Sequence, residues 1–199
     1  MATQPVAAPV HLSAARAPRL VLGLGNVLLK DEGVGVRVVE ALRALPLPPG
    51  IDLCDGGTAS LALLDVLDGR QKIVVVDAVD TGAVPGTIVR LTAADFLARP
   101  AVRVSLHELG FAETLQAAQR MGLTPAELVI LGVQPRTVAC GLDLSPQLAA
   151  RIPHLVDLVL GELGLDRRTR QRMLAVLYGK LAAAVSWGGP VGAEMDTRP

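Results

Sequence analysis

Ile73-Val74-Val75-Val76 is a run of four β-branched residues closed by an acid, Asp77. A strand that is apolar at every position has both faces covered, which is the situation of an inner strand in a mainly parallel sheet. The rest of the chain supplies what such a sheet needs. Leu20-Val21-Leu22 is a short apolar run ending at Gly23, and Ile51 to Cys54 and Leu128 to Val133 are two more. Between them lie segments with helical spacing: Val38, Val39, Leu42 and Leu45, stopped by Pro46; Leu61, Leu64 and Leu67; and Leu109, Ala112, Leu115 and Ala118 within a helix over residues 108–121. Leu144 to Leu163 reads as a long helix interrupted near Pro153. The alternation predicts an α/β fold in three layers, a mainly parallel sheet with helices on both faces. Thr87 to Leu91 follows a turn at Asp80 to Gly86 too short for a crossover helix, so that strand is expected to run antiparallel.

The chain has 199 residues, 51% of them hydrophobic, enough for one domain with a sizeable core. Lys+Arg and Asp+Glu are 19 each, so no net charge draws the chain to nucleic acid or to an anionic membrane. Aromatic residues are only 2%, which removes base-stacking platforms. No segment has the length and apolarity of a membrane span. Two unclustered cysteines, Cys54 and Cys140, exclude a disulfide scaffold and a Cys-rich zinc module and favour a reducing, cytoplasmic setting.

Residues 1–18 are Ala/Pro-rich, lack acids and carry no continuous apolar core of a signal peptide, so they read as a flexible extension. The α/β domain is expected over 19–165. Beyond it, residues 166–199 hold a basic run (Arg167, Arg168, Arg170, Arg172), an amphipathic helix with Leu174, Leu177, Tyr178, Leu181 and Val185, and a loose end from Gly188.

In such sheets, ligands sit beyond the carboxyl ends of the strands. Three clusters fall there. Gly23-Leu24-Gly25-Asn26 is followed by Lys30-Asp31-Glu32-Gly33-Val34-Gly35, but Leu28 occupies the third glycine position of a dinucleotide fingerprint, so that motif fails. Asp31 and Glu32 open a helix, where acids also cap the first turn. Asp77 closes the third strand, with Asp55 and Asp80 as neighbouring acids; Asp80 reads as a turn-former. Ser105-Leu106-His107-Glu108-Leu109-Gly110 puts a histidine at a helix start, with Phe111 where a zincin would need its second histidine. Together Glu32, Asp77 and His107 offer two oxygen ligands and one imidazole, a set that suits nickel or zinc and leaves coordination positions open.

These motifs resemble, in order and spacing, those of the nickel-iron hydrogenase maturation endopeptidases. Leu22-Gly23-Leu24-Gly25-Asn26 with Asp31 to Gly35, Asp55-Gly56-Gly57-Thr58, Val76-Asp77-Ala78-Val79 with Pro85-Gly86-Thr87, the His107 motif, and Leu131-Gly132-Val133-Gln134-Pro135 carry the resemblance over about residues 19 to 163. It implies a twisted five-stranded sheet and an aspartyl-type or metal-assisted peptidase. That enzyme would cut the C-terminal peptide from the hydrogenase large-subunit precursor after nickel insertion. It further implies Glu32, Asp77 and His107 as metal-contacting and catalytic residues, with Asp55, Gly56, Gly57 and Thr58 as substrate contacts. The nickel would be carried by the substrate, with no permanent metal in the enzyme; zinc or cadmium could occupy the site in vitro. Nickel would either polarise the scissile carbonyl or only position the precursor while Asp77 acts as general base. A cytoplasmic monomer without nucleic-acid or membrane partners is expected. The alternatives are a non-cleaving chaperone for the loaded precursor and a peptidyl-tRNA hydrolase, whose opening Gly-Leu-Gly-Asn is shared but whose following Pro is here Val27.

Overall fold

The computed structural model describes residues 16–98 and 106–186, except for the side chains of 106–108 and 183–186. Five strands form one sheet: β1 (Arg19–Leu24), β2 (Ile51–Gly57), β3 (Lys72–Ala78), β4 (Ile88–Thr92) and β5 (Glu127–Val133). Their order is β2-β1-β3-β5-β4. All neighbours are parallel except β4, which pairs antiparallel with β5 and bears out the expected exception. The order reverses direction between β1 and β3, creating the switch point at which α/β sheets open a crevice.

Strand alternation divides the core in two. Val21, Val74, Val76, Val129 and Leu131 face one layer, made of α1 (Val34–Arg43), α6 (Ile152–Glu162) and α7 (Arg167–Ser186). Leu20, Leu22, Leu24, Ile73, Val75 and Ile130 face the other, made of α2 (Leu63–Leu67), α3 (Ala93–Leu97) and α4 (Leu106–Met121). In that second layer Phe96 and Phe111 meet edge to face at 5.8 Å.

Several boundaries differ from the sequence reading. The α2 helix starts late, so Leu63 and Leu67, spaced i and i+4, point inward and Leu61 is exposed. In α4 the buried stripe is Phe111, Leu115 and Ala118, and Leu109 is exposed. The Pro153 interruption is a true break: α5 (Pro146–Ala149) ends before α6, which carries Pro153 in its first turn, where the missing N–H costs nothing. The short α3 was not anticipated, although Thr92 and Asp95 form a capping box at its start.

Residues 16–18 already dock on the domain. Arg16 pairs with Asp65 at 2.5 Å, and the Pro18 carbonyl accepts from Gln71 and Lys72. Arg70, its guanidinium buried, holds the same corner by donating to Asp52 and to the Ala17 carbonyl. The rest of the expected extension lies outside the described residues. At the other end, α7 packs into the core of the α/β domain. Met173 and Leu177 are buried, Arg170 pairs with Asp157 at 2.7 Å, and Lys180 donates to the Ala44 carbonyl. Only part of the predicted apolar stripe is used, since Tyr178 and Leu181 remain exposed. The expected loose end from Gly188 lies outside the described residues.

Candidate active site

The glycines of the first motif bring α1 onto the sheet. A Cβ on Gly35 would sit 2.1 Å from the Val76 carbonyl oxygen and 2.4 Å from that of Leu24. A Cβ on Gly23 would sit 2.3 Å from the Gly35 oxygen, so each glycine leaves room for the other. This contact fixes the first turn of α1 against the ends of β1 and β3. It also fixes the 3₁₀ turn just before it (Lys30–Gly33), which carries both acids of the motif.

The two acids do different work. Asp31 is fully buried, and its carboxylate accepts three backbone N–H groups from the segment after β5: Arg136 at 3.0 Å, Thr137 at 2.9 Å and Ser145 at 2.6 Å. It clamps the turn to that segment. Glu32, the next residue, lines an open cleft of about 630 Å³ together with Asn26, Leu29, Thr58, Ser60, Leu109, Gly110 and Glu113. The cleft lies between the turn after β1, the loop after β2, and the first turns of α4. Gly110 is needed there because a Cβ would meet Ser60 at 2.9 Å.

Asp77 is the penultimate residue of β3 and is 1% exposed. Residue Val76 is the last that β3 pairs with β1, so Asp77 lies just past that ladder at the switch point. Strand alternation puts it on the face of Ile73 and Val75, the face that α4 covers. Asp77 does not line the 630 Å³ cleft. The backbone of His107 lies in the opening turn of α4, ahead of the cleft-lining Leu109 and Gly110, and its side chain lies outside the described residues. Among the described residues no group of three His, Cys, Asp or Glu is placed to hold a metal.

The expected substrate contacts separate. Thr58 lines the cleft. Gly56 packs inward, since a Cβ there would press on Leu22 and Leu24 at 2.8 Å. Gly57 has φ +48, its N–H is held by Asp55 at 2.9 Å, and its carbonyl accepts from Gly25. Asp55 is exposed and shapes this turn from outside the cleft.

Two features escaped the sequence reading. Glu113 faces the cleft because it lies one helical turn beyond Leu109. Gln134, from the last motif, accepts at Oε1 from Thr81 and Ala83 and donates from Nε2 to Asp80, so it organises the loop after β3. Cys54 is buried, and burial pushes its thiol up, away from the reactive thiolate. Among the described residues no helix is long and apolar enough to cross a membrane.

The profile of the family described as hydrogenase maturation protease matches residues 36–162. The chain belongs to the hydrogenase maturation protease family. The hydrogenase expression/formation protein HupD of Bradyrhizobium diazoefficiens is 39% identical over 163 residues, covering 78% of this chain and 84% of that protein. The hydrogenase 2 maturation protease of Escherichia coli is 38% identical over 146 residues, covering 72% and 89%. Among solved structures, the hydrogenase maturating endopeptidase HybD of E. coli superposes with a TM-score of 0.67 at 36% identity, over 73% of this chain and 91% of that one. This maturation protease is therefore an endopeptidase by family.

Proposed function

We propose that this chain removes the C-terminal peptide of a hydrogenase large-subunit precursor, and that it recognises precursor already loaded with nickel. The observation that carries the reading is the open cleft between the loops after β1 and β2 and the start of α4. Glu32 enters it from the turn after β1, while the helix bearing His107 forms its opposite wall. Asp77 ends the neighbouring strand on the side that this helix covers. Two carboxylates and one imidazole form an incomplete shell, too weak to keep an ion but able to complete the coordination of one presented by the substrate. The nickel is thus part of the substrate, and the difference in affinity between loaded and empty precursor supplies the checkpoint. The same reading makes the protein a cytoplasmic monomer that acts on a protein partner, without nucleic acid or membrane.

The test is to weigh the precursor after incubation with this protein, once loaded with nickel and once without. The expected result is a truncated C-terminus for loaded precursor only. Glu32→Gln, Asp77→Asn and His107→Ala each abolish the cut while circular dichroism stays native. Normal cutting by all three variants overturns the assignment, and an unchanged precursor with tight binding marks a chaperone instead.

A further inference from the structure

A second cleft, of about 430 Å³, lies on the other side of the motif turn and includes Lys30, Arg136 and Asp143 in its lining. The two clefts share a wall. Leu29 lines the first and Lys30 the second, and successive Cα atoms are only about 3.8 Å apart. Their charges are opposite. Among the described residues the first is lined by Glu32 and Glu113 with no cation; in the second, Lys30 and Arg136 against Asp143 leave one net positive charge.

The cationic cleft is built at a conformational cost. Lys30 has φ +53, the one positive φ at a non-glycine residue among the described residues, a strained left-handed backbone state for an L side chain. Its stem lies over Gly141, where a Cβ would meet Lys30 Cε at 2.7 Å. The Lys30 N–H donates to the Gly141 carbonyl at 2.9 Å, and the Asp31 clamp holds Arg136 and Thr137 beside it. Among the described residues neither the Lys30 ammonium nor the Arg136 guanidinium has a hydrogen-bond or ion-pair partner.

We propose that the Lys30–Arg136 cleft binds a carboxylate of the segment that is cut from the precursor. The inference rests on the reading given under Proposed function and extends it to the far side of the scissile bond. A substrate with a metal cation on the retained side and a terminal carboxylate on the released side matches two adjoining clefts of negative and positive lining. The bound carboxylate has two sources, that terminal α-carboxylate or an Asp or Glu side chain of the released segment, and the cleft recognises either by charge-assisted hydrogen bonds.

The probe is a fluorescein-labelled peptide with the sequence of the precursor's C-terminal segment, titrated with full-length protein and read by anisotropy. Lys30→Gln with Arg136→Gln weakens binding roughly tenfold at low salt, and the gap narrows at high salt. Arg172→Gln, on α7, leaves binding unchanged. Amidating the peptide's C-terminus reproduces the loss if the α-carboxylate is the ligand; Asp and Glu to Asn and Gln in the peptide reproduces it if a side chain is. Arg136→Gln alone, on an exposed residue, covers the case in which a change at Lys30 unfolds the turn. Equal affinity for wild type and both variants, or no loss from either peptide change, overturns the proposal. Processing of loaded precursor by the wild type is run in parallel. If the precursor is cut but the affinities are equal, only the cleft assignment fails. If it is never cut, the functional reading fails first.

Discussion

Removing the Asp31 carboxylate should separate the motif turn from the segment after β5. The side chain is fully buried and accepts three N–H groups, two at Oδ2 (Arg136, Thr137) and one at Oδ1 (Ser145). Hydrogen bonds to a charged acceptor are worth about 1.5–3 kcal/mol each, and a buried donor left without a partner costs about 1–3 kcal/mol. A plain sum overshoots, because the three bonds share one group and water can enter the gap. Asp31→Ala is therefore expected to cost about 3–5 kcal/mol, a large share of the roughly 5–15 kcal/mol of a domain. Asp31→Asn keeps an oxygen for Arg136 and Thr137 but turns an NH₂ toward the Ser145 N–H, so about 2–3 kcal/mol is expected. Urea unfolding followed by circular dichroism gives both numbers, with the slope unchanged and the midpoint lowered. Hydrogen exchange should quicken first at Arg136, Thr137 and Ser145. A loss below about 1 kcal/mol for Asp31→Ala, or equal losses for Ala and Asn, would refute the clamp.

Gly35→Ala should cost more than the usual ~1–3 kcal/mol of overpacking, because its Cβ would meet two backbone oxygens that cannot rotate away; an unchanged urea midpoint would contradict that contact. Glu162 ties α6 to Arg90 and Lys72, and the Arg90 hydrogen bond holds its carboxyl below the usual glutamate value of 4.5. A depressed folded-state pKa contributes stability above that value and loses it as pH falls through the folded pKa, so Glu162→Gln should flatten the acid side of the stability curve by under about 1 kcal/mol. Identical acid limbs for wild type and variant in urea midpoints measured between pH 6 and 3 would reject it.

Much of the fold was legible because β-branched runs reveal buried strands without any tertiary information. The same logic located the strand ends, and hence Glu32, Asp77 and the start of α4, at one edge of the sheet. The division of labour between Asp31 and Glu32 was hidden. Two adjacent acids look equivalent in a string, and what separates them is a set of N–H groups about a hundred residues further on. Helix faces slipped for a related reason. Leu61 and Leu109 fit a helical stripe by spacing, yet the α2 helix begins late and the α4 stripe is set by Phe111, so Leu61 faces solvent and Leu109 faces the cleft. Gly56 shows what a motif string cannot carry: a Cβ there would press on Leu22 and Leu24, an inward constraint visible only once β1 and β2 are paired.

Glu32, Asp77 and His107 are proposed to surround one position. Zinc soaked into crystals of this protein, standing in for the substrate's nickel, tests it by anomalous scattering. The expected result is a single peak with a carboxylate oxygen of Glu32, one of Asp77 and an imidazole nitrogen of His107, each at about 2.0–2.2 Å. A peak bound by one of the three alone, or three side chains turned to separate places with no ion between them, would contradict it.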